Sequence, residues 1–205
     1  MYKSILGVMW ACLMIVSFSA NSALISRLGG LAYYDDVADL TWLADANAGA
    51  GTIYDDTDPR HSSETTTDGR MSWQNAMDWV TSLEVGGVSG WRLPNTLQPD
   101  SSCEHQLYVQ NSSSYGSDCI GSELGNMYYN VFGANSLDNI IDTHNTNYDL
   151  FSGTYGSGSV YGLYWSATER VDDIDRAYSF HMSVGYQYAN LGKDNTRLAW
   201  AVHDG

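Results

Sequence analysis

The apolar period of this chain changes once along its length, and that change limits the folds open to it. Trp73, Ala76, Met77, Val80 and Leu83 fall at i, i+3, i+4, i+7 and i+10, a stripe along one helical face. Ser72 is placed to cap that helix and Gly86-Gly87 to end it. A second helix is predicted from Ser122, with Leu124, Met127, Tyr128 and Val131 on one face and Gly133 as its stop. In the last third the period drops to two. Tyr178, Phe180, Met182 and Val184 alternate with Ser179, His181 and Ser183, and Leu198, Trp200 and Val202 alternate with Arg197, Ala199, Ala201 and His203. One apolar face at that period belongs to antiparallel strands packed on a core. Two short strands are predicted earlier, at 31–34 and 40–43, with the turn-forming Asp35-Asp36 between them. Helices first and a meander last specify an α+β fold with long loops at 45–69 and 136–158.

The N-terminus points to export. Lys3 precedes an apolar run of 14 residues, Ile5 to Phe18, and small residues follow in Ser19-Ala20-Asn21-Ser22-Ala23. This is the layout of a signal peptide over 1–22, and the run is shorter than the roughly 20 residues that span a bilayer. The chain from 24 to 205 reads as one domain, periplasmic, extracellular or at the cell surface, with no other segment apolar enough to cross a membrane. Two cysteines remain after the leader, Cys103 and Cys119, and an oxidising compartment favours their disulfide. The formal charge is −15, and the 8 basic and 24 acidic residues beyond the leader give −16. That balance excludes nucleic acid, whose phosphates need basic partners, and adhesion to anionic lipid by charge.

Three phrases carry a resemblance: Met71-Ser72-Trp73-Gln74-Asn75-Ala76, Gly90-Trp91-Arg92-Leu93-Pro94, and Tyr164-Trp165-Ser166-Ala167-Thr168. With Lys193, Arg197 and the ending Ala199-Trp200-Ala201-Val202, their order resembles the DUF1566 family, also described as the C-terminal domain of the Legionella collagen-like adhesin. The resemblance covers roughly residues 31–204. It implies a fold similar to C-type lectins and formylglycine-generating enzymes, with two helices flanking small antiparallel sheets and long ligand-bearing loops, an exported domain, and, in the adhesin member, binding to sulfated glycosaminoglycans. This chain departs from the family pattern. Its last strand is not basic, a segment containing Cys103 and Cys119 follows the Arg-Leu-Pro phrase, and its net negative charge opposes a polyanion at long range. The reactive late cysteines of the formylglycine-generating enzymes have no counterpart, since both cysteines are mid-chain.

The phrases themselves read as architecture. Trp73, Trp91 and Trp165 offer large rings to a core, Pro94 holds Leu93 extended, Ser166 sits on an inner strand, and Arg92 suits a half-buried carboxylate pair. No Gly-x-Ser-x-Gly, His-Glu-x-x-His or P-loop pattern occurs, so no catalytic set can be named and the chain reads as non-enzymatic. Calcium is the one cofactor the loops suggest, through Asp45, Asn47, Asp56 and Asp58. A solvated acidic loop fits the incomplete ligand pattern better. Tyr148, Tyr155, Tyr186 and Tyr188 lie in or beside Gly-, Ser- and Asn-rich text, the composition of adaptable binding surfaces that stack on sugar faces. The expected function is binding of an extracellular glycan or protein, as in adhesion. The alternative is a structural or homo-oligomerising module of the bacterial cell surface.

Overall fold

The computed structural model describes residues 24–55, 67–107, 113–153 and 160–205. The proposed leader, Asp56, Asp58 and Tyr155 lie outside the described residues. In chain order the strands are β1 (Leu24–Arg27), β2 (Ala32–Asp35), β3 (Leu40–Leu43), β4 (Arg70–Met71), β5 (His105–Leu107), β6 (Ser113–Tyr115), β7 (Leu163–Arg170), β8 (Asp173–His181), β9 (Tyr186–Gly192), β10 (Arg197–Leu198) and β11 (Val202–Asp204). The α-helices are α1 (Trp73–Ser82), α2 (Glu123–Asn126) and α3 (Ile140–Thr143). The architecture is α+β, with small, mostly antiparallel sheets and few helices. No helix among the described residues is long and apolar enough to cross a membrane.

The first and last strands meet in one sheet, ordered β1-β2-β3-β11. A second sheet runs β4-β10-β7-β8-β9, and β5 and β6 form a separate hairpin. The predicted strand through Leu198, Trp200 and Val202 is in fact two. β10 pairs parallel with β7 at Leu198–Tyr164, and four residues later, at Val202, β11 pairs with β3 in the other sheet. Strict alternation fails for the same reason. A segment that leaves one sheet to join another is covered on all sides, and Leu198, Ala199, Trp200, Ala201 and Val202 are all buried. Trp200 is the centre of this crossing. Its Nε1 donates to the Leu43 carbonyl at 2.7 Å, and its ring lies 4.6 Å from Trp42 and 5.1 Å from Phe151.

Helix α1 starts where the stripe predicts, with the Ser72 hydroxyl accepting from the Asn75 N–H at 3.3 Å. It ends before Gly86-Gly87. Those glycines, at φ of 58° and 81°, form the tight turn of a small hairpin closed by Val85 and Val88. The second helix begins at Glu123, with the Ser122 hydroxyl turned to Gln187 rather than capping it, and widens into a π-turn over Met127–Val131 before Gly133 turns it at φ 66°. The polar stretch after Ser136 contains α3, which buries Ile140 and is capped by the Asn139 side chain on the Ile141 N–H.

Candidate functional site

The three recurrent phrases lock to one another. The Trp73 Nε1 donates to the Ser166 carbonyl at 2.8 Å, and the Trp165 Nε1 donates back to the Met71 carbonyl at 2.9 Å. Ser166 is fully buried and its hydroxyl accepts from Thr96 Oγ1 at 2.8 Å, while the Ala167 N–H reaches the Pro94 carbonyl at 2.8 Å. Trp91, 3% exposed, donates from Nε1 to Val88. Each indole thus satisfies its polar edge while burying its ring.

Arg92 ties the same phrase to two distant elements. Its Nη1 and Nη2 reach Glu123 Oε2 and Oε1, both at 2.8 Å, and its Nε reaches Asp204 Oδ1 at 3.0 Å. Glu123 also accepts from the Asn95 N–H at 2.7 Å. Burial opposes the Arg92 charge, but the Glu123 and Asp204 carboxylates outweigh it and hold the guanidinium protonated. Asp204 is correspondingly pulled below the usual carboxylate range by its hydrogen bond to Arg92. This set of contacts is a clamp between the Gly-Trp-Arg-Leu-Pro phrase, α2 and β11.

A concave feature lined by aromatic and polar side chains lies at the β9 end of the second sheet. The Cys103–Cys119 disulfide closes the β5–β6 hairpin, and Gly116 exchanges backbone hydrogen bonds with Gln187 of β9 at 2.9 and 2.8 Å. Gln187 is 1% exposed. It accepts from Ser122 Oγ at 2.7 Å and donates to the Ser114 carbonyl at 2.9 Å. Its neighbours Tyr186 and Tyr188 therefore project together to the opposite face, two residues apart, with ring centroids 4.8 Å from each other. Tyr115 on β6 joins them, its own ring 5.0 Å from His105. These tyrosines, with Arg170, Ala189 and Asn190, line a cleft of about 340 Å³. Burial pushes the Tyr186 phenol up, so it stays a neutral donor. Arg170 at the rim is held by Asp172 at 2.5 and 2.9 Å, and Asp172 is pulled down by that pair. Phenols, a guanidinium and a carboxamide give stacking faces and hydrogen bonds to a ligand.

Of the tyrosines singled out from the sequence, Tyr186 and Tyr188 come together here. Tyr148 does not: it is 2% exposed, stacked on His144 and bonded through its hydroxyl to the Val160 carbonyl at 2.9 Å, so it belongs to the core. Tyr115 and Arg170 were not singled out. The only sequence signal for Tyr115 is its place inside the cysteine-bounded segment. For calcium, Asp45 Oδ1 accepts from the Asn47 N–H at 2.9 Å, and Asn47 Nδ2 donates to the Asp68 carbonyl at 3.1 Å. The Asp45 side chain staples a turn and that of Asn47 ties the two ends of the long loop, and Asp56 and Asp58 lie outside the described residues. Among the described residues no group of three or more His, Cys, Asp or Glu side chains could hold a metal ion.

Comparison with curated proteins and with solved structures finds no match. The family comparison does find one. The model of the Lcl C-terminal domain matches residues 32–203, from the second strand to the last, and spans every phrase of the interlock above. This chain belongs to the Lcl C-terminal domain family, an adhesin-associated group.

Proposed function

We propose that the chain is an exported, non-enzymatic domain at the cell surface or beyond, which binds an extracellular glycan through the cleft of Tyr115, Tyr186 and Tyr188. The observation that carries this reading is the convergence of three half-exposed phenol rings from two chain segments onto one concave surface. Sugars present C–H faces that stack on such rings and hydroxyls that suit Asn190 and the phenols. The family's association with an adhesin supports binding as the task. We read the fold as C-type-lectin-like, a reading supported by small sheets, long loops and the closure of the first and last strands into one sheet. A glycan array probed with the wild type and with Tyr188→Ala tests the proposal. Binding to some neutral or acidic sugar that the variant loses while its melting temperature holds is the expected result. Failure to bind any sugar, with or without calcium, would overturn it.

A further inference from the structure

We infer that the tyrosine cleft selects a neutral N-acetylated amino sugar, and that Arg170 and Asn190 read its acetamido group. The inference rests on the glycan reading above and names the class of sugar. Tyr115, Tyr186 and Tyr188 offer the ring its stacking faces, and Arg170, Ala189 and Asn190 complete the lining. The volume of about 340 Å³ is near the lower end for ligand clefts, about 300–1,000 Å³. A single sugar residue with its substituent suits that space better than a length of polysaccharide.

Two polar groups of the lining are left unengaged by the fold. Arg170 gives Nε and Nη2 to the two oxygens of Asp172, at 2.5 and 2.9 Å, and its Nη1 makes no hydrogen bond among the described residues. The side chain is partly exposed, so that edge is open to a ligand. Asn190 is exposed, and its main-chain carbonyl accepts from Arg176 Nη1 at 2.7 Å. Its carboxamide makes no hydrogen bond among the described residues. Ala189, next to it on β9, adds a small apolar patch to the same lining.

An acetamido group needs a donor for its carbonyl oxygen, an acceptor for its N–H and an apolar place for its methyl. Arg170 Nη1, Asn190 Oδ1, and Ala189 with the phenol rings are those three things. A plain hexose carries only a hydroxyl there and leaves the donor and the apolar patch unmatched.

Charge sets the class apart from its acidic and basic relatives. The side-on pair with Asp172 offsets the Arg170 charge, so a uronate would have to compete with Asp172 for the fork. Burial foremost, and the Glu104 carboxylate among nearby charges, raise the Tyr186 phenol, so an anionic sugar would meet a fixed negative charge there. The formal charge of −15 adds repulsion at longer range. A free amino sugar has no carbonyl for Nη1 and would bring an ammonium up to a guanidinium.

The test is an NMR titration of the oxidised protein with methyl glycosides of N-acetylglucosamine, N-acetylgalactosamine, glucose, galactose, glucosamine and glucuronate. At least one acetamido sugar is expected to shift the amides of residues 115 and 186–190 saturably, about tenfold or more tighter than its parent hexose. Arg170→Gln and Asn190→Ala should each cut that preference by about fivefold and leave hexose affinity nearly unchanged, with melting temperatures confirming that both fold. Tyr188→Ala should weaken acetamido sugar and hexose alike. Equal affinity for acetamido sugars and hexoses, tighter binding of glucuronate or glucosamine, or a preference unchanged in both variants would overturn the inference while leaving the glycan cleft standing. Shifts at these residues with none of the sugars would overturn the glycan reading itself, and this inference with it.

Discussion

Removing the Arg92 side chain should cost more stability than removing either carboxylate that it meets at the surface. The guanidinium is 27% exposed and Glu123 is 20% exposed, so their two parallel bonds of 2.8 Å are mostly shielded from water. Stripping one partner from a fully buried pair costs about 3–5 kcal/mol, because the other charge is left without compensation. Glu123 would keep its bond from the Asn95 N–H and some contact with solvent, which places Arg92→Ala near the lower end, about 3 kcal/mol. Asp204 is 77% exposed, and its side of the clamp contributes no more than a surface pair, about 0–1 kcal/mol. Arg92→Lys keeps the charge but loses the fork, and about 1.5 kcal/mol is expected.

Urea unfolding of the oxidised protein at neutral pH checks this directly, with a melting-temperature drop of about 6–12 °C for Arg92→Ala as the thermal counterpart. A double-mutant cycle should give strong coupling between Arg92 and Glu123 and weak coupling between Arg92 and Asp204. Equal losses for Arg92→Ala and Asp204→Asn would refute the reasoning, since the clamp would then be a surface ion pair. Acid adds a second reading of the same bonds. Asp204 titrates lower in the folded chain than in the unfolded one, so its contribution is whole above the unfolded value of about 3.9. It is lost as pH falls through the lower folded value, and Arg92→Ala should flatten that limb.

Gly125 of α2 offers a test in which propensity and packing predict opposite signs. Alanine is worth about 1 kcal/mol over glycine in a helix, yet a Cβ here would sit 1.8 Å from the Cys119 carbonyl oxygen. Gly125→Ala should therefore destabilise, and a raised melting temperature would contradict the packing. The double variant Cys103→Ser/Cys119→Ser opens a loop with a sequence separation of 16 and should lose about 3 kcal/mol in chemical unfolding. It should also weaken any ligand of the tyrosine cleft, because Tyr115 rides on that hairpin. His181 is pushed down by burial and by Arg197, so its imidazole is neutral in the fold. Its contribution is whole above the unfolded value of about 6.5 and declines as pH falls from there to the lower folded value. Melting temperatures measured across that window should fall less steeply in His181→Gln.

What could be read from the sequence was whatever depends on near neighbours. The α1 stripe and its Ser72 cap needed only the helical period, and Tyr186 and Tyr188 share a face because strands alternate. Trp79 lies off that stripe and is nonetheless 2% exposed. The turn around Gly49 folds over it: a Cβ there would be 3.6 Å from the indole. Tyr148 shows the reverse error, since polar text around a residue describes the chain beside it and not the rings that pack on it from Phe132 and His144. Tyr115 reaches the cleft through a contact between Gly116 and Gln187, a pairing that no local pattern encodes.

Net charge has the same character. A sum of −15 describes how the chain meets a distant polyanion and says little about a cleft. Within the fold, Arg92, Arg170, Arg176 and Lys193 are each held by a carboxylate: Glu123 and Asp204, Asp172, Asp173, and Glu169. The acid excess is thus partly structural, fixing cations in place rather than only keeping the surface solvated. Arg70 likewise lies 3.4 Å from a carboxylate, Asp68. The same carboxylates therefore act twice, as local partners that hold cations in place and as part of a negative field that opposes a long polyanion.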